Sequence, residues 1–140
     1  MIIGPYPGDR YLVSVEQADS MHVFDGAGFT FVESYPTGDR PFPAAVTSDG
    51  RLAFVPGYAD GTVTIIDLFN DRVIDTVQVG THPSGGAVLR GDEEYAVVVR
   101  GENKIVFINT ASHLVVGELT EGIGESPFSL VVARTVAWHS

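Results

Sequence analysis

Six residues have the type and placement to bind a small molecule: Asp39, Arg40, Tyr58, His82, Arg100 and Glu125. Four of them belong to one kind of turn. Asp39-Arg40 precedes Pro41, Thr81-His82 precedes Pro83 and Glu125-Ser126 precedes Pro127, and a glycine opens each turn (Gly38, Gly80, Gly124). The glycine and the proline hold while the two residues between them change, so any selectivity resides there. An arginine at such a place pairs with a carboxylate, and a histidine serves as acid, base or ligand near neutral pH. Tyr58, Asp60, Arg100, Glu102 and Asn103 stand in glycine-containing loops. Turn chemistry on a solvated rim accounts for each residue singly; their shared place makes the set a candidate site.

Other chemistries find little support. His22, His82, His113 and His139 show no i, i+2 or i, i+4 pairing, and the chain has no cysteine. Metal ligation, disulfides and thiol catalysis therefore lack a basis. The acidic turns (Asp9, Asp49, Asp71, Asp92-Glu93-Glu94) contain no calcium-loop string, and Asp-Gly pairs are what hairpin turns require. Gly85-Gly86 has no Lys-Ser/Thr after it, so it is not a phosphate loop; it reads as an innermost strand approaching a crowded axis. No serine lies in a G-x-S-x-G elbow. No catalytic residue, metal or cofactor is assigned from these residues.

The elements that must position the site come from repetition. Asp25, Asp67 and Asn109 fall 42 residues apart, each ending an apolar run. The Gly-x-x-Pro prolines recur 42 and then 44 residues apart. A third marker, Gly8-Asp9-Arg10, Asp49-Gly50-Arg51 and Gly91-Asp92-Glu93, precedes Tyr11-Leu12-Val13, Leu52-Ala53-Phe54 and Tyr95-Ala96-Val97. Short β-branched and aromatic runs between turn residues are strands. Four of them repeating every ~40–45 residues are the period of a β-propeller blade. The expected fold is all-β. Blade 1 covers residues 1–40, blade 2 covers 41–82, blade 3 covers 83–126, and an overhang covers 127–140 with strand signals at 128–133 and 134–139. Met1-Ile2-Ile3 reads as a truncated first strand, and Trp138 as a packing residue. In a propeller the Gly-x-x-Pro turns and the loops between second and third strands share one face, which brings the six residues to the rim of the channel.

Composition agrees. Hydrophobic residues make up 44% and charged residues 19% of 140, enough to build the core of one domain. A net charge of −10 with only 8 Lys and Arg argues against nucleic acid. No segment is long and apolar enough for a membrane-spanning helix, and no secretory signal opens the given chain.

The units resemble the YVTN-type β-propeller repeat family. Gly80-x-x-Pro83, Asp49-Gly50-Arg51, Val63-x-Ile65-Ile66-Asp67 and Val73-Ile74-x-Thr76-Val77-x-Val79-Gly80 carry the likeness, which covers nearly the whole chain. Such repeats occur in secreted, surface-layer and periplasmic proteins and in the propeller domains of haem-containing nitrite reductases, and they are similar to streptogramin lyases. The resemblance implies a fold more than a chemistry. It favours a periplasmic or extracellular setting. The leading expectation is a non-enzymatic scaffold presenting a channel rim to a small molecule or protein; the alternative is part of a propeller enzyme, a streptogramin-type lyase or a haem-associated domain. Three blades cannot close a ring of the usual ~4–8. The expected partners are therefore a second copy, making a six-bladed ring by strand exchange, or further blades of a longer chain.

Overall fold

The computed structural model describes residues 10–26 and 29–131. Three antiparallel sheets follow one another along these residues. The first contains β1 (Arg10–Val15), β2 (Ser20–Asp25) and β3 (Thr30–Pro36). The second contains β4 (Ala45–Val46), β5 (Leu52–Gly57), β6 (Thr62–Asp67) and β7 (Arg72–Gln78). The third contains β8 (Pro83–Val88), β9 (Glu94–Val99), β10 (Lys104–Asn109) and β11 (Val115–Leu119). Within each sheet the strands lie in chain order, the meander of a propeller blade.

The second blade is covered on both faces, which its sequence demands. Along β5 and β6 successive residues point to opposite sides. Phe54, Val63 and Ile65 pack with Tyr95, Val97, Val99, Val106 and Ile108 of the third blade. Ala53, Val55 and Ile66 pack with Met21, Val23 and Tyr35 of the first. Burying both faces requires near-continuous apolar runs, and Leu52-Ala53-Phe54-Val55 and Val63-Thr64-Ile65-Ile66 supply them. Each large side chain buried this way contributes roughly 1.5–3 kcal/mol.

The 42-residue marker has a local cause. The Asp67 carboxylate accepts hydrogen bonds from the backbone N–H of Phe69 (2.9 Å) and Asn70 (3.1 Å) and from the Asn70 side chain (2.8 Å). Asn109 accepts from Ala111 (2.9 Å) and Ser112 (2.8 Å) in the same manner. Each therefore ties down the turn that leads to the outermost strand.

The carboxylates that make such ties should render the fold acid-sensitive. The Asn70 side chain holds the pKa of Asp67 below its ordinary 3.8, and the Thr47 hydroxyl does the same for Asp49. The Thr81 N–H, followed by Lys104, holds Glu102 below 4.5. Folded values below unfolded ones give stabilisation that is complete above the unfolded pKa and lost as pH falls through the folded one. The thermal midpoint should drop between about pH 5 and pH 2. Asp67→Asn, which cannot titrate, should flatten that profile; an equally steep one would place the acid sensitivity elsewhere.

Several expectations change. β4 spans only two residues, because Pro41 and Pro43 remove two ladder donors just before it. β11 begins at Val115 and runs to Leu119. Residues 128–131 join no ladder among the described residues, although a strand was expected from 128. Gly85 and Gly86 stand where neighbouring groups come close. A Cβ on Gly86 would lie 2.5 Å from Tyr95 Cζ and 2.7 Å from the Ala96 carbonyl, and one on Gly85 would lie 2.9 Å from Ser129 Cα. The expected strands at 1–3 and 134–139, with Trp138 and His139, lie outside the described residues.

Candidate ligand site at the channel mouth

The Gly-x-x-Pro turns share one backbone conformation. Arg40, His82 and Ser126, each just before its proline, adopt φ of 57°, 59° and 49°. This left-handed region is costly for a residue with a side chain, and α-type backbone is disfavoured before proline. Surrounding hydrogen bonds impose it. Asp19 accepts from the N–H of Arg40 (3.2 Å), and Asn103 from that of Ser126 (2.7 Å). Asp60 accepts from the N–H of Asp39 (2.9 Å), and Glu102 from that of Thr81 (2.6 Å). All four acceptors stand in loops between second and third strands, so the two kinds of loop meet on one rim.

On that rim the structure brings four of the six sequence-derived residues together. The Tyr58 ring lies flat on the His82 imidazole, with centroids 4.4 Å apart and planes 5° apart. On its other neighbour, Phe42, the spacing is 5.3 Å and the angle 14°. The Arg40 guanidinium lies 5.3 Å from the Tyr58 centroid. Arg100 donates from Nη1 to the Tyr58 hydroxyl at 3.4 Å. Tyr58 thus stacks with two rings and meets two cations. Arg40 also pairs with Glu16 (Nε to Oε1, 3.0 Å), but both side chains are more than half exposed, so the pair is easily exchanged for another anion.

The remaining two candidates stand apart. Asp39 is exposed beside the mouth; loss of solvent around its carboxyl, then the nearby Asp19 and Asp60 charges, raise its pKa. Glu125 is exposed on its turn and makes no contact with the cluster among the described residues. Sequence reasoning missed Phe42 and Phe128. Phe128 meets Phe42 edge-on at 5.6 Å and underlies the Arg100 guanidinium at 5.7 Å. Both follow a Gly-x-x-Pro proline directly, the signal that could have found them.

The other described histidines lie elsewhere. His22 meets Phe31 edge-on (5.6 Å) on the first blade. His113 Nδ1 pairs with Asp75 Oδ2 at 2.9 Å, joining blades two and three. No group of three or more His, Asp or Glu side chains among the described residues could hold a metal ion. The arrangement suits a flat ligand: planar apolar rings to lie against and guanidinium groups for peripheral carboxylates.

A family model described as the cytochrome D1 heme domain matches residues 7–115. The chain belongs to this family. No curated protein sequence matches it. Among solved structures, the hydrazine synthase of Kuenenia stuttgartiensis is similar over 91% of this chain and 36% of its own, with 22% identity and a TM-score of 0.83. The dihydro-heme d1 dehydrogenase NirN, solved in complex with DHE, is similar over 89% of this chain and 27% of its own, with 20% identity and a TM-score of 0.74. Apo AztD from Citrobacter koseri is similar over 90% of this chain and 35% of its own, with 18% identity and a TM-score of 0.71. The chain spans about a third of the length of the solved structures it matches. At these identities the likeness shows the propeller fold. The D1 heme domain model places the chain in a propeller family and does not distinguish YVTN-type repeats within it.

Proposed function

We propose that the chain forms part of a propeller that holds a haem-type macrocycle across its channel mouth. The observation that carries this reading is the Phe42–Tyr58–His82 stack, whose Tyr58 meets both Arg40 and Arg100. It is supported by membership of a heme domain family and by likeness to a protein whose own name refers to heme d1. The donor set fits the group. Arg40 and Arg100 bind carboxylates on the macrocycle edge, and Phe42 and Phe128 offer apolar surface to its plane. His82 brings an imidazole to this face. When bound, such a group supplies one-electron chemistry at its iron; the residues here hold and orient it and shield it from water. This takes the haem-associated alternative over the purely non-enzymatic scaffold. The YVTN-like character of the repeats and a periplasmic or extracellular setting belong to the same reading.

Titration of the chain with ferric protohaem, followed by visible absorption, tests it. Saturable binding with a shifted Soret band is expected. Arg40→Ala and Arg100→Ala should each weaken binding about tenfold, the effect of losing one charge-assisted hydrogen bond. His82→Ala should alter the spectrum of the bound state. An unshifted Soret band, or affinities untouched by all three substitutions, would overturn the assignment.

A further inference from the structure

The rim carries a second repeated position. Glu16, Tyr58 and Arg100 fall 42 residues apart. Each is the first residue after a strand, following β1, β5 and β9 in turn. The Tyr58 N–H donates to the Arg40 carbonyl and the Arg100 N–H to the His82 carbonyl, both at 3.0 Å. Loop and turn residues therefore alternate around the mouth: Glu16, Arg40, Tyr58, His82 and then Arg100. The contacts along this row differ in kind. Tyr58 meets His82 ring to ring, whereas Glu16 meets Arg40 as an ion pair.

That pair is built into the fold. Main-chain donors fasten the loop carrying Glu16 to the turn carrying Arg40. The Thr37 N–H donates to the Asp19 carbonyl (3.0 Å), and the Arg40 N–H donates to the Asp19 carboxylate (3.2 Å). The two backbones are held in register, so opening or closing the pair moves side chains alone. Arg40 Nε donates to Glu16 Oε1 at 3.0 Å while the guanidinium lies 5.3 Å from the Tyr58 centroid. Solvent around both side chains weakens the pair enough for another carboxylate to replace it.

The two arginines of the mouth are not equally open. Arg100 reaches the Tyr58 hydroxyl and the Phe128 ring, and it has no ion pair among the described residues. Arg40 is engaged by Glu16, and Asp19, Asp39 and Asp60 stand beside its turn. A carboxylate arriving there meets like charge on every side except at Arg40 itself.

We propose that Glu16 competes with the ligand for Arg40: its carboxylate holds the guanidinium until a carboxylate of the ligand displaces it. Glu16 is then a specificity-determining residue of the mouth. A flat molecule with no charge cannot trade one charge-assisted hydrogen bond for another, so it cannot open the pair. The inference deepens the macrocycle reading and rests on it for the kind of ligand.

Glu16→Gln keeps the side-chain length and removes the charge. Ferric protohaem should bind this variant about threefold more tightly than the wild-type chain, the worth of one exposed ion pair. The gain should persist beside Arg100→Ala and vanish beside Arg40→Ala, because only Arg40 is the object of the competition. The dimethyl ester of protohaem, which has no carboxylate, should bind both forms equally. Equal or weaker binding of protohaem by Glu16→Gln, or the same gain for the ester, would overturn the inference and leave the macrocycle reading standing.

A second measurement needs no macrocycle. The Arg40 Nε–H resonance, assigned by its loss in Arg40→Ala, is followed by NMR as benzoate is added at constant ionic strength. In Glu16→Gln it should respond at about one third of the benzoate concentration that the wild-type chain needs. Equal concentrations for the two would overturn the inference. A lower one for Glu16→Gln, with protohaem bound by neither form, would sink the macrocycle reading and leave Glu16 as the competitor at Arg40.

Discussion

Alanine in place of Gly86 is expected to cost about 3 kcal/mol of folding stability, the upper end of what overpacking a filled core produces. The added methyl would press on the Tyr95 ring at 2.5 Å and on the Ala96 carbonyl at 2.7 Å. Neither can retreat. Tyr95 is fully buried and stacked on Phe54 at 4.8 Å, between the second and third blades. The carbonyl belongs to the β9 backbone, paired on both sides. The midpoint of urea unfolding reads the effect, and an unchanged midpoint would show that Tyr95 moves aside. Tyr95→Leu in the Gly86→Ala background should recover part of the loss, since the two changes act on one space. Tyr95→Phe alone should be neutral or stabilising. Its hydroxyl has no hydrogen-bond partner among the described residues, and burial pushes its pKa well above the ordinary tyrosine range.

Phe54→Ala should destabilise by about 3–5 kcal/mol, the usual cost of removing a buried aromatic ring. Phe54 is wholly inaccessible and belongs to the cluster that joins blades two and three. Its removal would leave Tyr95 without its stacking partner and open a cavity that paired strands on both sides prevent from collapsing. The informative contrast is Phe42→Ala. Phe42 is only half-buried at the mouth, and truncating it should shift the urea midpoint by less than about 1 kcal/mol. It should nevertheless weaken macrocycle binding, because a stacking face is lost. If the two substitutions destabilised the chain equally, the mouth would be core rather than site.

The architecture was legible in the sequence because its causes are local. Asp67 and Asn109 recur at a fixed interval since each binds the N–H groups of its own following turn. Val63 and Ile65 alternate with Thr64 and Ile66 because both faces of one sheet are covered. Arg40, His82, Tyr58 and Arg100 could be placed on one rim by the repeat alone. What spacing could not reveal was which of them touch. The stack depends on the rotamers of Tyr58 and His82, and Phe42 enters it through a turn whose two prolines also shorten β4. The reason for Gly86 was hidden too, because it lies in how the Tyr95 side chain on the next strand is turned.

The turns before Pro41, Pro83 and Pro127 owe their shape to main-chain donors held by Asp19, Asp60, Glu102 and Asn103. Nothing in those bonds involves the side chain of Arg40, His82 or Ser126. The three positions therefore form interchangeable sockets on a fixed mount. A combinatorial library varying only these residues could change the charge of this rim without redesigning its frame. Glycine and asparagine would be the most easily accommodated occupants and the β-branched residues the least, as left-handed backbone dictates.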